Sequence, residues 1–498
     1  MTYAEFARAV AKFPREQLLR VISDMAAEEA RTRMLDSHLE PPVLFFSLAG
    51  VARTALVVAR DPDRRHRGSR RSRHVAGREQ VKRLCHNHLT VFDPALDAAG
   101  NVDISAILTR IAYEQFGGQY SPMENLSRAY ALFVQYAAAV PGMPSPAEWE
   151  EVLGTSFDTL MRTGFALQVA MLQNGASITR AVLQMDHVRP IWEPLSPQEL
   201  FGIIDEHFAR SMDEHRAMSR AAEQPGREKW SFNSLVNFPL ITVGHELLCP
   251  SPQFLLDRVT ATSLWYIGAD RWRERFTDAL GAVFEAYVGD QLRLMKNVQV
   301  LGQVHYTSKG SGAGSCDWIV VTDEVVVLVE VKCARPTLDY RTGGAEGLAD
   351  AAKKLGEAVG QIERTATQIA DRHPAFSHIP DDRPARGLIV TLEPYYLRQT
   401  MREHLVESDI LPIGVVWAHE LESSVTALSD QDDAGAQILS ALTPEDGLLP
   451  YLPDVRKDRA VLPPNQILER AWDEWATWPA IDTLKMAKAT ADADAAST

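Results

Sequence analysis

The stretch Gly314-Ser-Cys-Asp317-Trp-Ile-Val-Val-Thr-Asp-Glu-Val-Val-Val-Leu-Val-Glu330-Val-Lys332-Cys333 decides how the rest of the chain is read. Two apolar, β-branched arms, Cys316 to Val321 and Val325 to Lys332, flank a short polar turn. This pattern predicts a buried β-hairpin. Side chains alternate along a strand, so Glu330 and Lys332 fall on one face, and Asp317 at the start of the neighbouring arm can lie beside them. Charges in so apolar a ribbon are costly without partners. A metal ion with its water would account for them.

Outward from the hairpin, the pattern alternates between periods 3.6 and 2. A helix is predicted from about Arg275 to Met295, with Phe284, Val288 and Leu292 on one apolar face and Glu285 beside them. A strand follows, Val298 to Tyr306. The loop Thr307 to Ser315 is rich in glycine and serine; it lacks the Gly-Lys-Ser/Thr ending of a phosphate loop and reads as a flexible hairpin loop near the substrate. After the hairpin and a linker, a helix from Glu346 to Ala370 carries Leu348, Leu355, Ile362 and Ile369 at seven-residue spacing. Strand Gly387 to Leu392, a short helix near Leu397 to Leu405 and strand Ile413 to His419 complete the order α-β-β-β-α-β-α-β, a mixed central sheet flanked by helices. Two nearby carboxylates raise each other's pKa unless a cation lies between them. A hard divalent ion with oxygen ligands suits Asp317 and Glu330: Mg2+, with Mn2+ as a substitute. A lysine one pleat away can orient an attacking water or steady charge developing on a phosphate.

Residues 276–420 resemble the PD-(D/E)xK, or restriction-endonuclease-like, nuclease superfamily. Glu285 in Phe284-Glu285-Ala-Tyr287 is similar to that family's acid on the first core helix. Asp317 matches its aspartate, Glu330-Val331-Lys332 matches its ExK signature, and Gln361 in Gly360-Gln361-Ile362-Glu363 is placed like the glutamine many members carry on the next helix. The resemblance implies an α/β domain in which Asp317, Glu330 and Glu285 hold the metal, Lys332 assists the nucleophilic water and Gln361 supports the site or the substrate backbone. It implies a metal-dependent endonuclease that hydrolyses phosphodiesters of nucleic acid, DNA ahead of RNA, and that works as a homodimer where two strands are cut. The chain departs from the pattern at Cys316, where a proline is common, and at Thr365, where some members place a tyrosine. The competing expectation is a catalytically idle nuclease fold that binds or senses nucleic acid.

The remaining sequence frames this domain. At 498 residues the chain has room for two or three domains, and at 46% hydrophobic and 23% charged it reads as a soluble globular protein. The net charge of -15 excludes an overall basic coat but not a local basic cleft. The four scattered cysteines, the amphipathic and charged N-terminus and an apolar stretch, Pro42 to Val58, too short to span a bilayer point to a cytoplasmic protein with no membrane partner. The expected layout is a helical segment over residues 1–100, an all-α region over 101–275, the nuclease-like domain over 276–425, and an irregular extension over 426–498 with a short helix at Ile467 to Trp475 and a disordered tail. The arginine-dense run 60–83 reads as a solvated loop or a phosphate-contacting arm. Cys85-His86-Asn87-His88 reads as a polar turn rather than a metal site. Ile104, Ile107, Leu108 and Ile111 form the apolar stripe of another helix. Ser121-Pro-Met-Glu124, Ser145-Pro-Ala-Glu148 and Ser196-Pro-Gln-Glu199 announce helix starts, and Ser251-Pro252 a fourth. The aromatics Tyr113, Phe116, Tyr130, Phe133, Trp149 and Phe165 read as core rather than as a base-stacking surface. A helical half joined to a nuclease resembles the layout of bacterial genome-defence effectors, and by that analogy the helical half would receive a regulatory partner.

Overall fold

The computed structural model describes all of the chain except residues 36–43, 59–74, 92–103, 116–121, 187–188, 193–194, 224–225, 309, 397–407, 445–451, 453–461 and 478–498. Most of the arginine-dense run, Phe116, the helix expected near residues 397–405 and the expected disordered tail lie outside the described residues. Arg78, at the end of that run, opens a helix and pairs with Asp24 at 2.6 Å and with Glu28.

The first core is a bundle of the helices Tyr3–Val10, Arg15–Leu35, Phe45–Val58 and Arg78–Leu89. Phe45–Val58 is buried along nearly its whole length, and its one charge, Arg53, donates to the carbonyls of Phe232 at 3.0 Å and Glu228 at 2.7 Å. Cys85 to His88 is not a polar turn. It is the last turn of Arg78–Leu89, with Cys85 and His88 facing the bundle and buried.

The region expected to be all-α contains a four-stranded sheet: β1 (Ser177–Thr179), β2 (Ala209–Ser211), β3 (Leu240–Val243) and β4 (Glu246–Leu248), in the order β1-β4-β3-β2. Strands of three or four residues are too short to display a two-residue alternation, which is why the pattern hid them. The readable signal is the two-residue turn between β3 and β4, where Gly244 takes a φ of +59° that favours glycine. The capping boxes at Ser145–Glu148 and Ser196–Glu199 form as their spacing predicts. Ser251 does not cap: the short helix Gln253–Asp257 starts without a side-chain cap, and the Ser251 hydroxyl is buried without a partner. In helix Ile104–Gln115, Leu108 is 41% exposed, while Ala106, Thr109, Arg110 and Ala112 are buried. Of the expected stripe, Leu108 faces out and Ile107 and Ile111 are half-buried, while Arg110 and Tyr113 donate to the carbonyls of Thr342 and Pro394 and dock the other side of the helix.

The second half is built on a mixed five-stranded sheet in the order β11-β10-β9-β8-β5: β5 (Gln299–Gly302), β8 (Trp318–Val321), β9 (Val326–Lys332), β10 (Ala385–Thr391) and β11 (Ile413–Trp417). β5, β8 and β9 are mutually antiparallel, and β9, β10 and β11 run parallel. The predicted strand Val298 to Tyr306 splits, and its second half, β6 (His305–Ser308), pairs with β7 (Ser311–Gly314) inside the expected loop as a separate two-stranded ribbon. Odd-numbered β9 residues face helix Ala261–Leu292, and even-numbered residues face helix Ala345–Ala370. Helix Ala261–Leu292 begins before the expected residue 275, with a break at Arg273, whose φ of 52° is non-helical. One core runs unbroken from this helix into the helical half, taking in Phe133, Trp149 and Phe165. Helix Ala418–Leu428 crosses residue 425, and Ala434–Ala441 follows it. Helix Gln466–Trp475 packs against helix Pro122–Tyr130, with Ile467, Leu468, Ala471 and Trp475 buried. Among the described residues no helix is long and apolar enough to cross a membrane.

Candidate active site

The hairpin forms in the register Trp318↔Val329 to Val321↔Val326. Its turn is fixed by Thr322, whose hydroxyl accepts from the amides of Glu324 at 3.2 Å and Val325 at 3.0 Å. The same register, extended one residue, sets Asp317 opposite Glu330. There the ladder ends, and the side chain of Asp317 replaces it: Oδ2 accepts from the amide of Val331 at 2.7 Å. Lys332 Nζ donates to Glu330 Oε1 at 2.8 Å. All three residues therefore meet at the carboxyl end of β9, beside the carboxyl ends of β10 and β11. Ligands of open α/β sheets bind in this position.

The site is only partly neutralised. Glu330 is 5% exposed, and its Oε2 is buried with no hydrogen-bond partner among the described residues. Burial, and then the charge of Asp317, push its carboxyl up to about 7, against the pull of Lys332 and of a hydrogen bond from the Asp317 backbone amide. Burial also raises Asp317, opposed by the Val331 amide and Lys332. Glu285, half buried on helix Ala261–Leu292, is raised by burial and then by Asp317, so it lies within electrostatic reach of Asp317. Even so, among the described residues no three His, Cys, Asp or Glu side chains are already grouped to hold one ion. The donors are all carboxylate oxygens, and one is an orphaned buried atom. That set fits a hard divalent cation.

Two further contacts hold the acids in place. The Trp318 indole Nε1 donates to the backbone carbonyl of Glu285 at 3.0 Å, which ties β8 to the helix that carries Glu285. Its ring occupies the space left by Gly289, where a Cβ would come within 2.3 Å of it, and Arg293 lies 4.6 Å above it. On the other face, Gln361 has chain-holding partners: its Nε2 donates to the carbonyls of Gly314 at 2.7 Å and Ser315 at 2.8 Å, and its Oε1 accepts from Arg364. One turn on, Thr365 Oγ1 accepts from the amide of Cys316 at 2.9 Å. Gln361 and Thr365 thus clamp the three residues that lead into Asp317.

Comparison with known proteins finds no matching family model, no matching curated protein and no matching solved structure.

The geometry brings Asp317, Glu330 and Lys332 together, sets Glu285 nearby, and joins Gln361 to the chain rather than to the acids. Sequence reasoning missed Trp318 and Gly289 and named Thr365 only as a departure from the family pattern, not as a clamp on Cys316. Thr365 was accessible as a polar residue four positions after Gln361 on an otherwise apolar helix face. The Gly289–Trp318 approach joins residues far apart in sequence, and no local pattern encodes it.

Proposed function

We propose that this protein is a metal-dependent nuclease that hydrolyses phosphodiester bonds of nucleic acid, an endonuclease for which DNA is the favoured substrate. The observation that carries the reading is the convergence of Asp317, Glu330 and Lys332 at the carboxyl end of the central strands, with Glu330 Oε2 buried and unpartnered among the described residues. Asp317 and Glu330 would hold Mg2+, or Mn2+ in its place, with Glu285 supporting them. Such an ion, when bound, polarises a phosphoryl oxygen and lowers the pKa of a water to make it a nucleophile. Asp317 keeps its orientation through the Val331 amide, which leaves its second oxygen for the ion. Lys332 now bonds Glu330 Oε1. With Glu330 otherwise engaged, its ammonium can orient the attacking water or steady charge developing on the phosphate. A homodimer would supply two such sites for a duplex. The connection of helix Ala261–Leu292 into the helical half gives a regulatory partner bound there, as in a genome-defence effector, a physical route to Glu285.

The second reading, an idle fold that binds or senses nucleic acid, is favoured by the lack, among the described residues, of an acid cluster already drawn in to ion-binding range. Incubating the purified protein with plasmid, single-stranded DNA and RNA, in Mg2+ and then in chelator, separates the two. Metal-dependent cutting supports the first, and retained binding without cutting supports the second.

A further inference from the structure

Just beyond the same edge of the sheet lies a group of aromatic and charged side chains that the hydrolytic reading leaves unused. Arg335 follows Lys332 by three residues, about 10 Å of extended chain. Glu393 follows Thr391, the register partner of Lys332, by two. Arg335 and Glu393 meet at 2.6 Å, and the other oxygen of Glu393 receives Arg341, also at 2.6 Å. Two guanidinium groups thus share one carboxylate, with the Asp257 carboxyl within electrostatic reach of Glu393. The Arg341 side chain is 28% exposed, and its Nε also donates to the carbonyl of Pro336 at 3.2 Å.

Arg335 is itself held down. It donates to the carbonyl of Thr262 at 2.7 Å, and its guanidinium lies 4.2 Å from the ring centre of Tyr266 and 5.0 Å from that of Trp265. Trp265 meets Tyr266 edge-on, with ring centres 5.3 Å apart. Tyr266 is nevertheless 50% exposed. Most of the described aromatic rings pack into the cores. This one is pinned on one side by a buried cation and open on the other, and a preorganised ring face of this kind loses little freedom when a planar group stacks on it.

We propose that Tyr266, backed by Arg335, is a base-stacking platform, and that Arg341 receives the adjoining phosphate, so that the site takes nucleic acid with an unpaired base next to the bond to be cut. The inference rests on the nuclease reading and sharpens it: the substrate class is a single strand, or a duplex opened at that point. Stacking tolerates any base because every base has a π-face, so little sequence preference is expected from it.

The test is fluorescence anisotropy of the full-length protein in chelator, at fixed 0.1 M salt, with a labelled single-stranded DNA, an RNA of the same sequence and the blunt duplex. Tyr266→Ala is expected to weaken binding of both single strands about tenfold, as loss of one stacked base does. Tyr266→Trp should hold within about twofold of the parent, and duplex affinity should change by less than about twofold for either variant. The inference is overturned if the parent does not bind single strands, if Tyr266→Ala binds them like the parent, if Tyr266→Trp is as weak as Tyr266→Ala, or if the duplex loses as much as the single strands. Cleavage by the parent in Mg2+ is scored separately. A parent that cuts while Tyr266→Ala binds normally leaves the nuclease reading standing without this platform; a parent that never cuts removes the nuclease reading, whatever the binding shows.

Discussion

Glu330 offers a test of the site that needs no substrate. Its carboxyl is raised from 4.5 to about 7, chiefly by burial and then by Asp317. The folded protein therefore holds this proton more tightly than the unfolded chain does. Its contribution to stability is fully present below about pH 4.5 and is lost as pH rises through about 7. A rise of that size is worth about 3 kcal/mol at roughly 1.4 kcal/mol per pH unit. Glu330→Gln keeps the shape and removes the titration. In chelator, urea unfolding at pH 4.5 and pH 7.5 should show the parent losing about 3 kcal/mol more than Glu330→Gln across that interval. Adding Mg2+ at pH 7.5 should restore stability to the parent, by about 2.7 kcal/mol at a hundredfold excess over its dissociation constant, and should leave Glu330→Gln unmoved. Parallel pH profiles for parent and variant, or equal Mg2+ effects on both, would refute the reasoning, because Glu330 would then be neither the strained acid nor a ligand.

Three other outcomes follow from the same geometry. Lys332→Ala should cut nucleic acid about 10²–10³-fold more slowly while its affinity for substrate in chelator changes little, which single-turnover kinetics and anisotropy check together. Gly289→Ala puts a methyl group into the Trp318 ring, so it should destabilise by about 1–3 kcal/mol, seen as a lower urea midpoint. It should also slow cleavage, because the ring ties Asp317's strand to Glu285's helix. Arg128 and Glu422 form a buried bidentate pair, and Tyr287 adds a hydrogen bond to Glu422 at 2.5 Å. Arg128→Met alone should cost about 3–5 kcal/mol by stranding the Glu422 charge, and Arg128→Met with Glu422→Leu should recover most of that loss in a double-mutant cycle.

The hairpin was legible because it obeys a local rule: β-branched arms of matched length around a polar turn, with three charges at the end where the ladder stops. The stripe of helix Ala345–Ala370 was legible for the same reason, and Leu355, Ala358 and Ile362 are buried where its period puts them. Legibility failed where elements are shorter than their own period, as in β1 to β4, or where tertiary contacts overrode the amphipathic pattern. Helix Ile104–Gln115 shows the second case: the carbonyls of Thr342 and Pro394 drew Arg110 and Tyr113 inward and left Leu108 outside. In the site, the acids and lysine could be named from spacing. What fixes them could not. The clamp of Gln361 and Thr365 on residues 314–316 and the seat of Trp318 on Gly289 are contacts between segments dozens of residues apart, and only the folded chain brings them together.

The central claim is hydrolysis of nucleic acid by the acids and lysine at the end of β9. The most direct measurement is cleavage of plasmid, single-stranded DNA and RNA by the purified parent, Asp317→Ala and Lys332→Ala, each with Mg2+ and with chelator. The account predicts cutting by the parent in Mg2+ alone, and little or none by either variant. No cutting of any substrate by the parent, or variants that cut as well as the parent, would contradict it.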